Sequence, residues 1–458
     1  MYFFILFSLI WIFFSGQPFL AIYSLVLIWG IYKIFWKQGV PKVIFFGLLY
    51  FWLTIIIKLI YADLLGLKYE ELSDSNKIVE TSFIALLGLF VFALGLFITS
   101  KNATKKIPIS YTNTFGYNVD KVIVFYISMA VTAGFLAGIL FVFPAFSQLF
   151  NAIIQIKMGL LFLLIHTVYA QKKRLWIIAI IIGVEVLLSF VSFFSSFKDI
   201  LITVAIVFSF YPIKISGKQI IRNIAIGFAT IYLLLIWQTI KSEYRFYLNQ
   251  GSNTQSVQVS SNDALNKIWQ LAVEAKPFSS DNDVVYESID RLSYIEFFSQ
   301  AMVRVPVEVP YENGKLWLNN VMHVLVPRIF NPNKKAIDDS QMVNAYCIRQ
   351  VATAEQGASF SLGFMAESYI DFGSFIMFIP IFLLGLLFGF VYKILITKSI
   401  NFIWGFSMVV PLWVYINCNG TPGTKILGWI LMYLIAFFLI RRFVMKPVDK
   451  FLKNSSNK

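Results

Sequence analysis

The sequence predicts an all-α integral membrane protein: a polytopic bundle of 11–12 transmembrane helices, with one large, mostly helical extracytoplasmic loop between the eighth or ninth span and the last three. Composition is the first reason, since 58% of the residues are hydrophobic and 14% charged, with a mean hydropathy of +0.74. A soluble domain cannot hide that much apolar surface. The second reason is spacing: the apolar residues fall in blocks of roughly 17 to 24, such as 175–194 and 221–240, the length that crosses ~30 Å of hydrocarbon. The third is charge placement. Residues 241–371 hold 11 basic and 15 acidic side chains, leaving 27 basic and 9 acidic elsewhere. The formal charge of +14 therefore sits on short connections, as the positive-inside rule requires, and is not a nucleic-acid footprint.

In chain order, Met1–Trp11 has no basic residue before its apolar run and no small-residue cleavage pattern, so it is expected to stay as a span. Gly16, Gln17 and Pro18 interrupt residues 2–36, which read as one kinked helix or as a tight hairpin. Spans are expected near 41–61, 77–99, 121–143, 149–170, 174–194, 198–213 and 220–240, then 374–396, 400–417 and 424–443. Basic residues mark alternate connections: Lys37/Lys42, Lys101–Lys121, Lys172–Arg174, Lys214–Arg222, Lys393/Lys398 and Arg441–Lys446. By parity, 241–373 lies outside and the C-terminus in the cytoplasm, which for the bacterial group that residues 290–373 resemble, described below, implies the inner membrane. Four units follow: 1–240 as the N-terminal bundle, 241–373 as the extracytoplasmic loop, 374–443 as three closing spans, and 444–458 as a basic cytoplasmic tail. Within the loop, 249–262 is polar and expected to be mobile, whereas 265–275, 288–303 and 336–351 have helical spacing. Residues 316–330 are apolar enough to lie in the membrane interface.

Charges inside spans need partners. Lys157 and Glu185 stand in consecutive spans at similar depth, so a structural pair is the leading reading, with a substrate cavity or an ion relay as alternatives. His166 reads as a packed histidine. Lys198-Asp199 reads as interfacial snorkelling, although it can reach an outer cavity. Two cysteines, Cys347 and Cys418, exclude a disulfide scaffold or a metal framework, and a single bridge between them stays open. No P-loop, nucleotide-binding glycine pattern or metal cluster is present, so neither a cofactor nor a metal is expected. Asp338-Asp339 reads as a solvated turn.

From Asp290-Arg291 the outer segment runs through Pro306, Pro310 and Gly314 to Pro327-Arg328-Ile329-Phe330, then Asn333-Lys334. It closes with Gly357-Ala358-Ser359-Phe360-Ser361 and Glu367-Ser368-Tyr369-Ile370-Asp371-Phe372-Gly373. This pattern, about a fifth of the chain, resembles the bacterial oligosaccharide repeat-unit polymerases of the Wzy-type O-antigen and capsule group. The architecture of many spans, one dominant outer loop and about three closing spans is similar too. The resemblance implies a glycosyltransferase that moves a glycan from polyprenyl pyrophosphate onto the terminal sugar hydroxyl of another lipid-linked repeat unit. It implies the lipid-linked oligosaccharide and membrane lipid as partners, with a chain-length regulator and a flippase of the same pathway as further candidates and no nucleic acid.

For that chemistry, permanently charged arginine forks suit the departing pyrophosphate. Arg328, at the end of an interfacial apolar run, and Arg291 are the leading candidates, with snorkelling as the bland alternative. Arg304, Arg349 and Lys334 are assigned to substrate binding. Glu367 is the expected general base. Asp371, four positions on, shares its helical face and is either a second acid or a helix-end residue. His323 is an alternative base or a packed histidine. Ser359 and Ser361 are candidate phosphate donors or ordinary caps. A polysaccharide ligase and a lipid-linked oligosaccharide flippase are the competing functions.

Overall fold

The computed structural model describes the chain except residues 1–9, 109, 140–145, 192–196, 213–215, 253–256, 278–283, 327–337, 354–358 and 454–458. Among the described residues all regular structure is helical, apart from one isolated bridge between Tyr117 and Lys453. After a helical stretch at 10–14 come α1 (Pro18–Phe35), α2 (Val43–Leu65), α3 (Ile78–Ser100), α4 (Val119–Ile139) and α5 (Ser147–Gln171). Two shorter helices, α6 (Trp176–Phe190) and α7 (Phe197–Phe208), precede the long α8 (Gly217–Leu248). The polar segment contributes α9 (Ser261–Glu274), α10 (Val284–Leu292), α11 (Ile295–Arg304), α12 (Lys315–Leu325), α13 (Asp339–Tyr346) and α14 (Phe364–Ile376). The chain closes with α15 (Phe378–Lys398), α16 (Phe402–Val409), α17 (Leu412–Ile416), α18 (Gly423–Ile440) and α19 (Lys446–Leu452).

Eight helices among the described residues are long and apolar enough to cross a membrane, against the 11–12 spans expected. The shortfall has local causes. The described part of the stretch expected as 198–213 is helical only in α7, whose 12 residues span about 18 Å at 1.5 Å per residue, well short of ~30 Å of hydrocarbon. The stretch at 400–417 divides at Val410-Pro411 into α16 and α17, where proline supplies no N–H to the helix ladder. Before α1, the break at Gly16 is fixed by Asp63, whose carboxylate accepts from the Gly16 N–H at 3.0 Å and the Trp11 indole at 2.8 Å.

The basic connections meet at one end of the bundle. Lys37 donates to the Lys101 carbonyl, and Lys42 donates to Ser209. Gln171 reaches the Tyr117 carbonyl at 2.6 Å, Asn401 reaches the Tyr117 hydroxyl at 2.9 Å, and Arg441 reaches the Lys398 carbonyl. The basic tail is docked there as well: the Leu452 carbonyl accepts from Asn118 N–H at 2.7 Å, and Asp449 pairs with Tyr117. Small residues bring α3 and α15 together. A Cβ on Gly95 would lie 2.5 Å from the Phe382 carbonyl, and one on Gly385 would lie 2.2 Å from the Phe92 carbonyl. Backbones this close gain the dispersion contacts that hold helices in lipid.

The polar segment does not stay at the opposite end. Phe364, the first residue of α14, packs edge-on against Phe51 of α2 (5.9 Å between centroids) and at a tilt against Phe92 of α3 (6.1 Å). Both partners lie several turns inside their helices, so α14 begins within the bundle and runs outward to Ile376. Beside it the 417–422 connection is equally deep: the Asn419 amide donates to Thr54 in mid-α2 at 3.0 Å, and Phe364 N–H donates to the Thr421 carbonyl at 2.9 Å. Gly363 (φ +82°) permits that pairing, because a Cβ there would overlap the Asn419 carbonyl.

Candidate functional site

Glu367 lies in the first turn of α14, where the backbone dipole favours an acid, and is 5% exposed. Its Oε2 accepts from the Gly423 N–H at the start of α18 (2.8 Å) and from the Asn320 amide on α12 (3.0 Å). The Asn320 carbonyl in turn accepts from the Thr424 hydroxyl, fixing the amide's orientation. Gly423 is small by necessity: a Cβ there would sit 2.6 Å from Asn320 Nδ2 and 3.1 Å from the carboxylate. All the hydrogen bonds Glu367 receives from described residues go to Oε2, leaving Oε1 for another donor. Burial pushes its carboxyl up to about 7, against the opposing pull of the Gly423 and Asn320 donors; the like charges of Asp339 and Asp371 add to the rise.

Asp371 shares the Glu367 face, as the four-residue spacing requires, and both side chains bond to α12. Its role is that of a cap. Oδ1 accepts from Leu316 N–H at 3.0 Å and Oδ2 from Trp317 N–H at 2.8 Å, satisfying donors of the first turn of α12. Burial raises its carboxyl above the ordinary range, and the backbone N–H groups of Trp317, Leu316 and Gly314 oppose that rise. Asp339 is not the solvated acid expected: it is buried and ion-paired with Lys425 near the start of α18. His323 is half-buried, one turn along α12 from Asn320. Ser361 accepts from Gly363 N–H at 3.2 Å in an ordinary turn before α14, and Ser359 is exposed.

Among the described residues, the candidate arginines bond elsewhere than Glu367. Arg304 donates to Glu308 (2.8 Å) and to the Ala345 and Cys347 carbonyls. Arg349 grips Asp74 with two 2.7 Å contacts and reaches Asp290 at 3.5 Å. These two guanidiniums fasten the polar segment to itself and to the α2–α3 connection. Arg291 instead points to α8, where the Gln238 carbonyl, with the amide oriented toward the guanidinium, accepts from it at 3.0 and 3.2 Å. Arg328 and Lys334 lie outside the described residues.

Sequence reasoning passed over Lys58, which anchors this end of the molecule. Buried in α2, it bonds Asp290 and Glu296 at 2.8 Å each. Glu296 is completed by Ser73, the Asp74 N–H and Gln300. Its signal was available, because Lys58 and Asp63 are the only charges in Val43–Leu65. Asn320, Gly423 and Thr424 carried none, being neutral and far apart in sequence. Lys157 and Glu185 do pair, at 2.6 Å, with the Tyr126 hydroxyl on the same carboxylate at 2.8 Å. His166 is packed: it stacks on Phe162 and touches Tyr211 and the Asn113 carbonyl. Cys347 and Cys418 are buried free thiols, and burial pushes Cys347 up to about 12, well away from reactivity. Among the described residues no acid, cysteine or histidine cluster is arranged to hold a metal ion.

Residues 40–410 match a family model described as a domain of unknown function, DUF8712. The chain belongs to the DUF8712 family. No curated protein and no solved structure matches it. The family region contains Asn320, Asp339, Glu367, Asp371 and the candidate arginines, but stops before Gly423, Thr424 and Lys425, which close the Glu367 site.

Proposed function

We propose that this membrane protein polymerises lipid-linked oligosaccharide repeat units on the outer side of a bacterial cytoplasmic membrane, in surface-polysaccharide biosynthesis. The observation that carries the reading is Glu367: a buried carboxyl pushed up to about 7, with one oxygen uncommitted among the described residues, where α12, α14 and the start of α18 meet. A base for a sugar hydroxyl needs that protonation balance and a site from which bulk water is excluded. The residue pattern of 290–373 supports the same reading.

In this mechanism the acceptor hydroxyl gives its proton to Glu367 as its oxygen bonds to the donor's anomeric carbon. The bond from that carbon to the phosphate oxygen breaks, and lipid pyrophosphate leaves with the electron pair. No nucleotide sugar or metal takes part in the step as drawn. Asn320 and the Gly423 N–H hold Oε2 so that Oε1 faces the acceptor.

Deletion followed by glycan analysis tests this. Glycans of a single repeat mean polymerase, long polymer left unattached to its final acceptor means ligase, and the absence of any exported unit means flippase. The flippase reading has one observation in its favour, the short helices α7, α16 and α17 and the deep start of α14, since discontinuous helices suit transport sites. The topology has its own check: a label at Ser256 should react from outside intact cells, and reaction only from the inner face would overturn the site's location.

A further inference from the structure

Glu367 lies at the depth of mid-membrane, and the contacts of three spans agree on it. Phe51 and Phe92, which receive Phe364, stand eight residues from Val43 and Ser100, the basic ends of α2 and α3, or about 12 Å at 1.5 Å per residue. Three residues further out along α14, Glu367 is about 16 Å from that end, near the middle of ~30 Å of hydrocarbon. Asn419 reaches the same level, since its partner Thr54 stands eleven residues from Val43. The third span is α18. Its last turn bonds the Lys398 carbonyl, nine residues past the contact of Gly389 with Thr99, so about half of its length lies beyond Ser100 and Gly423 stands near the level of Glu367.

This depth carries α12 inward. The Leu316 and Trp317 N–H groups meet Asp371, and Asn320 meets Glu367, so each step along α12 follows α14 back toward the bundle interior. Asn320 also bonds Thr424, and Asp339 of α13 bonds the next residue, Lys425, so both helices reach the start of α18. The polar segment thus sends α12 below the outer surface.

The two sides of α12 differ. Trp317 donates its indole N–H to Ser368 at 3.0 Å, and Asn320 is buried against Glu367. On the far side Leu318, Val321, Met322 and Leu325 follow at i, i+3, i+4 and i+7, forming one apolar stripe whose members are 38–64% exposed. Lys315 and Asn319 flank the stripe nearer the outer end, and Lys315 is paired with Glu312 at 3.5 Å. Ile379 and Leu383 of α15, a span that continues from α14, are exposed in the same way. At this depth the solvent that suits four aligned apolar side chains is hydrocarbon.

We propose that α12 is a re-entrant helix whose Leu318–Leu325 stripe lies against the acyl chains of the outer leaflet. A single helix then separates Glu367 from the bilayer. The inference follows from depth and exposure and does not rest on the glycan-transfer reading.

The test places single cysteines at Leu318, Met322 and Leu325 of the full chain, labels them with bimane and reconstitutes the protein in phosphatidylcholine vesicles. Wild type, whose two cysteines are buried, is the labelling blank. Val131→Cys, exposed in the middle of α4, marks contact with lipid, and Glu308→Cys, exposed in the polar segment, marks contact with water. Nitroxides deep in the acyl chains should quench Met322→Cys and Leu325→Cys as strongly as Val131→Cys, while aqueous iodide quenches only Glu308→Cys. Leu318 and Leu325 are seven residues apart, about 10 Å along the axis, so a nitroxide near the glycerol should quench Leu318→Cys more than Leu325→Cys. Equal depths at the two positions would lay α12 flat on the surface and overturn the descent. Quenching by iodide, or by neither agent, would show water or protein against the stripe and overturn the lipid contact. Should one cysteine prevent folding, the other stripe positions carry the same comparison. No glycan enters the assay, so failure of the glycan-transfer reading would leave this result standing.

Discussion

Replacing Glu367 by glutamine separates a reactive carboxyl from a structural one. A glutamine carbonyl can accept from Gly423 N–H and Asn320 as Oε2 does, so the substitution changes charge while keeping shape. Raising a carboxyl from its ordinary 4.5 to about 7 corresponds to about 3 kcal/mol, at 1.36 kcal/mol per tenfold change in proton affinity. The sign follows from which state releases its proton first. Below pH 4.5 both folded and unfolded chains carry the proton, and Glu367 contributes nothing. Between 4.5 and 7 the unfolded chain ionises while the fold holds its proton, so stability falls as pH rises, reaching the full loss above 7. Glu367→Gln should therefore match wild type near pH 5 and exceed it at pH 8. In thermal unfolding of purified protein the gain at pH 8 should be on the order of 3 °C for a chain of this size. The same variant should lose glycan extension, while wild-type extension should rise with pH through about 7, as a base requires. If the variant were less stable than wild type at pH 8 and still extended glycans, the carboxylate would be an anionic cap for α18 and the mechanism would fail.

Lys58→Met should cost about 3–5 kcal/mol by leaving Glu296 charged and buried, read as loss of monodisperse protein on gel filtration; unaltered yield and unfolding would show that the Lys58 network is dispensable. Gly385→Ala should destabilise by about 1–3 kcal/mol, since its Cβ meets the Phe92 carbonyl, whereas Gly138→Ala, with nothing within 4 Å, should stay within about 0.5 kcal/mol. Equal unfolding midpoints for the two variants would contradict the α3–α15 packing. Asp371→Asn should weaken the cap on α12 by about 1 kcal/mol and leave glycan extension per folded molecule unchanged. A specific loss of extension would return Asp371 to the reactive site.

Much of the fold was legible because apolar composition dictates membrane insertion and basic residues mark one end. Apolar count does not fix helix length, however. Pro411 divides α16 from α17, and the 12 residues of α7 fall well short of a ~30 Å span. At the site, the shared face of Glu367 and Asp371 could be read from a spacing of four. Their partners could not, since Asn320 and Gly423 stand 47 and 56 residues from Glu367 and are neutral. The partners of the described arginines were hidden for a related reason. Chemistry suggested what a guanidinium can bind, yet Asp74 lies 275 residues from Arg349 and had already claimed it. Adjacent Asp290 and Arg291 likewise serve different networks, the acid turning to Lys58 and the base to Gln238.

The contrast between Glu367 and Asp371 explains why one helix holds a structural acid and a candidate base a single turn apart. Both are buried and both face α12. Asp371 meets the N-terminal turn of that helix, where donors exceed acceptors, so each of its oxygens is matched by a backbone N–H. Glu367 meets α12 one turn further along, where the backbone N–H groups are committed to the helix and only the Asn320 side chain can donate. The start of α18 adds one N–H, again to Oε2. A hydrogen bond to a charged acceptor is worth about 1.5–3 kcal/mol, and two of them on one oxygen do not outweigh complete burial, so the carboxyl settles near neutrality. A third donor on Oε1 would favour the charged form and draw the carboxyl back toward the ordinary acid range. The vacancy on that oxygen is the feature that keeps a proton within reach of exchange.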